Sequence, residues 1–93
     1  MRYELKFKQE ALGEWEKLGS TVKAQFRKKL AERLENPQVP ASRLHGAANR
    51  YMIKLRASGF RLVYEVRDGE LVVVVIAVGK REQGGVYAKA AGR

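Results

Sequence analysis

The order of apolar patterns along the chain predicts an α+β fold: two N-terminal helices packed on one face of a small, mostly antiparallel sheet. Two observations support this class. Apolar residues recur at helical spacing over residues 9–35, and they alternate with polar residues from residue 51 onward. The predicted order is β-α-α-β-β-β, followed by a tail long enough for one short helix, and 93 residues form a single domain, 1–93.

The N-terminal half reads as a strand followed by two helices. "YELKF" (3–7) alternates apolar and charged residues, as a half-buried strand does. Helical spacing follows over residues 9–18 and ends before Gly19, and a second helix then runs to Asn36, because Pro37 disfavours helical geometry in the residue before it. We expect an antiparallel pair of helices whose core-facing residues are Ala11, Leu12, Trp15 and Leu18, then Val22, Phe26, Leu30 and Leu34.

Three strands follow an extended connector (37–50). "YMIKLRA" (51–57), "FRLVYEV" (60–66) and "ELVVVVIAV" (70–78) are separated by Ser58-Gly59 and Asp68-Gly69, which suit two-residue hairpin turns. Turns of that length would place Arg61 opposite Arg56 on one side and opposite Ile76 on the other. The nearly unbroken apolar run of the last strand indicates a central position in the sheet.

Charge is the most informative bulk property. The net charge is +9, and residues 41–93 contribute +6 of it with ten Lys/Arg against four acids. Such an excess favours a polyanionic partner, either nucleic acid or an acidic protein, although a solvated basic surface is the plain alternative. With no cysteine there is no disulfide or thiolate metal site. No signal pattern or membrane span is found, so a cytoplasmic location is expected.

Alternation gathers cations on one face of the sheet. Lys54 and Arg56 share a face with Arg61, and the last strand leads into Lys80-Arg81. Like charges across strands are destabilising, so such a face needs solvent or an anion. Each residue also has a purely structural interpretation: strand-edge charges, or Arg61 paired with Glu65.

The residue inventory limits the chemistry that this face could support. His45 is the only histidine and Asp68 the only aspartate, while Glu65 is the one acid on the basic face. Two-histidine RNA cleavage is therefore excluded, and a carboxylate-metal nuclease is disfavoured. What remains is metal-free phosphate chemistry, in which arginines stabilise the transition state and a lysine crowded by arginines acts as the base, or passive RNA binding.

Three segments carry a resemblance to a known family. "LGSTVKAQFRKKLAERLENPQVPASRLHG", "IKLRASGFRLVYEV" and "VVIAVGKREQGGVY" resemble the RelE toxins of bacterial toxin–antitoxin systems, over about residues 3–87. The resemblance implies a small microbial-RNase-like α+β fold and a ribosome-dependent endoribonuclease that needs no metal or other cofactor. It also implies three partners: mRNA in the ribosomal A site, small-subunit rRNA, and a RelB-like antitoxin bound as an added strand or as a helix in a groove.

The resemblance also implies roles for individual residues. Lys54 would be the general base, Arg61 would stabilise the transition state, Arg81 would assist the leaving 5′-oxygen, and Tyr87 would stack on a base. Substrate contacts would come from Arg56, Lys80 and His45. Two positions depart from the family, because Met52 replaces a frequent lysine and His45 replaces a more basic residue.

Two other functions stay open on sequence alone. One is a gyrase-poisoning toxin of the ParE type, which shares the fold but lacks the nuclease residues. The other is a non-catalytic module that binds RNA or the ribosome. The structural interpretations of two single residues also stay open: Tyr87 as a core or helix-packing residue, and His45 as a surface or connector residue.

Overall fold

The computed structural model describes residues 2–80 and 85–93. It confirms the predicted fold class and element order, including the short C-terminal helix. None of the helices in these ranges is long and apolar enough to cross a membrane. The strands are β1 (Glu4–Phe7), β2 (Arg50–Leu55), β3 (Phe60–Arg67) and β4 (Val72–Lys80), and the helices are α1 (Gln9–Glu16), α2 (Ser20–Glu35) and α3 (Val86–Ala91), with 3₁₀ turns at Pro40–Ser42 and Asp68–Glu70.

The sheet has the strand order β1-β4-β3-β2. Strand β1 runs parallel to β4, and the other two pairings are antiparallel. The apolar strand β4 is therefore internal, as predicted, and β2 is an edge strand. Because β2 lies at the edge of the sheet, its outer side can be reached from both faces of the sheet.

Helices α1 and α2 cover one face of the sheet. Trp15 joins the two helices to β1, with its ring centroid 5.3 Å from that of Phe7 and 6.2 Å from that of Phe26. Ala11 and Trp15 are buried, but Leu12 is 41% exposed, so its assignment to the core was wrong. The cause is geometric: α1 is only two turns long, and its buried side is already formed by Ala11 and Trp15, which are four residues apart.

The opposite face carries a second apolar cluster beneath α3. Val86 and Ala90 of this helix pack against a group of sheet residues that comprises Met52, Val63, Val72, Val74, Ile76 and Ala77. Helices α1 and α2 thus share one face, as predicted, and α3 covers the other. A six-residue helix has too short an apolar pattern to indicate which face it covers.

The register between β2 and β3 differs from the predicted one. Lys54 lies opposite Arg61, so the loop spans four residues (56–59), and the predicted pairing of Arg56 with Arg61 was wrong. The reason lies at Gly59, whose backbone has φ 78° and whose N–H donates to the carbonyl of Leu55 at 2.9 Å, closing a wider turn. The shift equals two residues, so every side chain keeps its predicted face.

The register between β3 and β4 differs for two reasons. The connection spans residues 68–71, with a 3₁₀ turn followed by Leu71 at φ 54°, so β4 begins at Val72 instead of Glu70. A bulge then makes Ile76 an extra residue between the partners of Val63 and Tyr64. Together these changes place Arg61 opposite Gly79 and not opposite Ile76. Arg61 consequently lies beside the point where β4 leaves the sheet.

Candidate functional site

Lys54 and Arg61 form the centre of the basic face. They are direct cross-strand partners, with Lys54 exposed and Arg61 half-buried. Two like charges in this arrangement cost about 0.2–1 kcal/mol relative to neutral partners. A bound anion between them would be attracted to both cations and would offset that repulsion, as expected for a pair that binds phosphate.

Met52 lies beside this pair on the same face and is only 3% exposed. One guanidinium nitrogen of Arg61 donates to the Met52 Sδ atom at 3.7 Å. A thioether is a weak, uncharged acceptor, so this contact orients the guanidinium without neutralising it. Arg61 therefore keeps its charge available to a ligand.

Glu65, the acid that shares this face in the described part of the chain, is paired with other arginines. The Glu65 carboxylate accepts hydrogen bonds from Arg50 and Arg67, each at 3.0 Å, and not from Arg61. Partial burial by itself would raise the pKa of Glu65, but these two guanidinium groups hold it below its ordinary value. The alternative pairing of Arg61 with Glu65 is thus not found.

A cleft connects the basic face with the connector and α3. We call it the basic cleft; its volume is about 290 Å³, and it is lined by Arg33, Ala41, Ser42, Arg43, Leu44, Met52, Lys54, Arg56 and Tyr87. None of these lining residues, all from the described part of the chain, is acidic. A neighbouring depression of about 320 Å³ is lined by Lys54, Leu55, Arg56, Gly59 and Arg61. Lys54 and Arg56 border both, so a chain of phosphates could follow one continuous basic surface.

Tyr87 is the exposed aromatic side chain of this region. It lies on α3, is 54% exposed and borders the basic cleft. Helix α3 is held against the sheet by Arg50 of β2. The Arg50 guanidinium donates to the Ala90 carbonyl at 2.5 Å and also pairs with Glu65 of β3. An exposed ring on an anchored helix suits stacking on an unpaired base.

Strand β1 pairs with β4 only as far as Val75, and side chains cover the same edge of β4 beyond that residue. Glu14 of α1 accepts the Val78 N–H at 3.1 Å, and Arg93 donates to the Ile76 carbonyl at 3.0 Å. Arg93 also pairs with Glu14 at 2.8 Å, and Lys89 does so at 3.1 Å. This cluster, which we call the Glu14 cluster, replaces the missing strand partner and ties α3 to α1 at the exit of β4.

Glu14 makes the stability of the protein depend on pH. Partial burial by itself would raise the pKa of Glu14. The hydrogen bonds from Arg93 and Val78 and the charge of Lys89 outweigh this effect and lower the pKa from 4.5 to about 2. A carboxyl whose pKa is lowered in the folded protein stabilises the fold at pH values above its ordinary pKa. It loses that contribution as the pH falls through its pKa in the folded protein. Its contribution is therefore complete above about pH 4.5 and disappears toward pH 2.

We expect Glu14→Gln to lower the free energy of unfolding by about 1–3 kcal/mol at pH 7, because an acceptor of charge-assisted hydrogen bonds is removed. Urea unfolding at pH 7 and at about pH 2 measures the effect, and the difference from the parent protein should vanish at the lower pH. Glu16→Gln, at an exposed position of the same helix, is the matched control and should change little. A difference that persisted at low pH would contradict the role of the Glu14 charge.

The remaining predicted residues are more dispersed. Lys80 lies opposite Phe60, with its Nζ atom 5.3 Å from the ring centroid, and does not line the basic cleft. Arg81 lies outside the described residues. His45 is exposed on the connector and borders a separate groove of about 560 Å³ that Tyr87 and α3 also line.

Two cations of the basic cleft escaped prediction. Arg33 lies outside the apolar spacing of α2, where cations are usually solvated, and Arg43 lies in a connector without periodicity. The connector returns along β2, where Arg43 forms a bridge with Tyr51, and this path brings Arg43 to the cleft and Ser42 within hydrogen-bond distance of Arg33. No local pattern indicates such a path. Within residues 2–80 and 85–93, no group of three histidine or acidic side chains that could hold a metal is present.

Comparisons with known proteins identify the family of the chain. A family model described as "ParE toxin of type II toxin-antitoxin system, parDE" matches residues 5–84. The mRNA interferase toxin RelE of Escherichia coli strain K12 is 55% identical over 93 residues, which are 100% of this chain and 98% of that protein.

Solved structures give the same relationship. A free arginine-to-alanine double variant of E. coli RelE superimposes with a TM-score of 0.92 at 54% identity, covering 100% of this chain and 98% of that one. The same variant bound to a peptide of the antitoxin RelB gives 0.84 at 54% identity, with 97% and 95% covered. The family model takes its description from ParE, whereas the full-length relative is a RelE protein. The chain belongs to the RelE family of toxins of type II toxin–antitoxin systems.

Proposed function

We propose that this protein is a ribosome-dependent endoribonuclease that cleaves mRNA in the A site and so arrests translation. The observation that carries the proposal is the direct pairing of Lys54 with Arg61 on a face whose acid is engaged elsewhere, beside an exposed Tyr87. This arrangement offers a base, a charge to stabilise the transition state and a stacking ring. The relatives named mRNA interferases support the same substrate.

The proposed reaction transfers a phosphoryl group within the RNA. The 2′-oxygen forms a bond to the adjacent phosphorus while the bond from phosphorus to the 5′-oxygen breaks, which leaves a 2′,3′-cyclic phosphate and a free 5′-hydroxyl. Lys54 takes the proton of the 2′-hydroxyl, and Arg81 donates a proton to the departing oxygen. Arg61 stabilises the charge that develops on the phosphorane oxygens.

Substrate binding is assigned to the surroundings of this pair. Tyr87 stacks on a base and holds the nucleotide for in-line attack, while Arg56, Lys80 and His45 contact neighbouring parts of the mRNA. Met52 supplies no charge where the family often has a lysine, so Arg56 takes over part of that phosphate contact. The reaction needs no metal or other cofactor.

Two macromolecular partners follow from this function. Exposed Arg27, Lys28 and Lys29 of α2 contact ribosomal RNA, and Lys28 and Lys29 share a groove with Lys54 and Arg56. The second partner is an antitoxin, as the complex of the E. coli relative with RelB suggests by its composition. We propose that its acidic or amphipathic segment covers the basic cleft. Activity on ribosomes places the protein in the cytoplasm.

Primer extension on a defined mRNA, with and without programmed ribosomes, tests the proposal. We expect cuts inside the A-site codon only when ribosomes are present, and loss of these cuts in Arg81→Ala while ribosome binding largely survives. Ribosome binding without any cleavage would favour a non-catalytic module. Inhibition of gyrase without mRNA cleavage would favour a ParE-like activity.

A further inference from the structure

Arg33 is a half-buried cation near the end of α2 that contacts only neutral acceptors. Its guanidinium donates to the Tyr64 hydroxyl at 2.8 Å and to the Ser42 hydroxyl at 3.0 Å. None of the ion pairs among the described residues includes it. A cation removed from water without a counter-charge is costly, so an anion at this place would be favourable.

The guanidinium is held in position before any ligand arrives. It lies 5.7 Å from the centroid of the Tyr64 ring, which stacks on Tyr51 at 5.6 Å. The Tyr64 hydroxyl also donates to the Pro37 carbonyl at 2.6 Å. A guanidinium has five N–H donors, and the contacts above use two of them. A fixed fork of donors loses little side-chain entropy when it binds a phosphate.

The place of Arg33 within the basic cleft connects it with the reaction. Arg33 reaches the cleft from the face covered by α2, whereas Lys54 and Met52 belong to the other face. The two sides meet at β2, the edge strand. A phosphodiester chain that lies across this edge would contact Lys54 on one side and Arg33 on the other.

We propose that Arg33 binds a backbone phosphate of the RNA substrate next to the phosphate that is cleaved. The identity of the substrate rests on the proposed function. RNA is favoured over an acidic peptide because the same cleft holds Lys54 and borders an exposed ring suited to a base, and because its volume of about 290 Å³ suits a nucleotide.

A cycle that combines protein and RNA changes tests the contact. The probe is a short RNA oligonucleotide made uncleavable by 2′-deoxy substitution, in which each phosphate in turn is replaced by a neutral methylphosphonate. Binding is followed by fluorescence anisotropy. We expect Arg33→Met to weaken binding about tenfold and to lower the salt slope by about 0.7. At one phosphate, the methylphosphonate should weaken binding to the parent protein but not to Arg33→Met.

Three further variants separate binding from structure. Arg27→Met removes the same charge from an exposed position of α2, and its effect should add to that of every methylphosphonate. Ser42→Ala removes an acceptor of Arg33 but keeps the cation, so affinity should change less than about twofold. Arg33→Lys keeps the charge and should retain the salt slope while losing part of the affinity.

Several outcomes would overturn the proposal. If Ser42→Ala weakened binding as much as Arg33→Met, and all effects were additive, Arg33 would act only by holding the connector. If Arg33→Met weakened binding of an acidic peptide but not of RNA, the cation would serve a protein partner. The cycle needs no cleavage, so a parent protein that never cuts mRNA would refute the proposed function and leave the Arg33 result standing.

Discussion

Substitution of Arg61 by methionine is expected to lower the rate of mRNA cleavage on programmed ribosomes by about 10²–10³-fold. The same change should leave the free energy of unfolding unchanged or raise it by up to about 1 kcal/mol. Both effects have one cause: the guanidinium faces Lys54 across the strand pair, which is unfavourable in the free protein and useful once a phosphate lies between them. Methionine keeps most of the aliphatic stem and removes only the charge.

The two measurements are single-turnover cleavage and urea unfolding of the purified toxin. Arg67→Met is the matched control on the same strand, because Arg67 is exposed and pairs with Glu65 at 3.0 Å. It should leave cleavage unchanged and lower the free energy of unfolding by a few tenths of a kcal/mol. Any gain in stability from Arg61→Met should shrink at high salt, where exposed charges are screened.

A different pattern would assign Arg61 to the fold. If Arg61→Met lowered stability by several kcal/mol and its loss of cleavage followed the loss of folded protein, the guanidinium would be a structural group. Retained cleavage with unchanged stability would remove Arg61 from the reaction altogether.

Side-chain faces could be predicted from the sequence, whereas strand registers could not. Alternation placed Lys54 and Arg61 on one face, and this assignment survived because the error between β2 and β3 was two residues. Register depends on loop geometry: Gly59 closes a four-residue turn, and the bulge at Ile76 adds one residue to β4. Neither feature has a reliable local signal, since Ser-Gly suits several turns and an unbroken aliphatic run conceals an inserted residue.

Only those residues of the site that lie on regular strands could be predicted from the sequence. Lys54 and Arg56 follow from the period of β2. Arg43, in contrast, lies on the irregular connector that returns along β2, and Arg33 reaches the basic cleft from α2, where it contacts Ser42 of that connector. The same limit applies to Glu14, which takes the place of a strand partner for Val78 over 64 positions of sequence separation. Contacts of this kind arise from the path of the chain, and periodicity carries no information about that path.

Substitution of Lys54 by alanine is expected to lower the cleavage rate at saturating substrate by about 10²–10⁴-fold. The side chain is exposed and takes part in none of the ion pairs among the described residues, so its removal should hardly disturb the packing. The loss should fall on kcat, because this side chain takes up a proton only in the chemical step. Small primary amines should restore part of the rate, because the depression beside Lys54 is open to solvent.

Arg56→Ala separates a base from a simple phosphate-binding cation. Arg56 lies two residues further along the chain and borders the same two depressions. Its loss should raise KM and lower the salt dependence, whereas loss of Lys54 should act mainly on kcat. If Lys54→Ala raised only KM and left kcat unchanged, Lys54 would be one more contact to the mRNA backbone. The proton of the 2′-hydroxyl would then have to pass to another group.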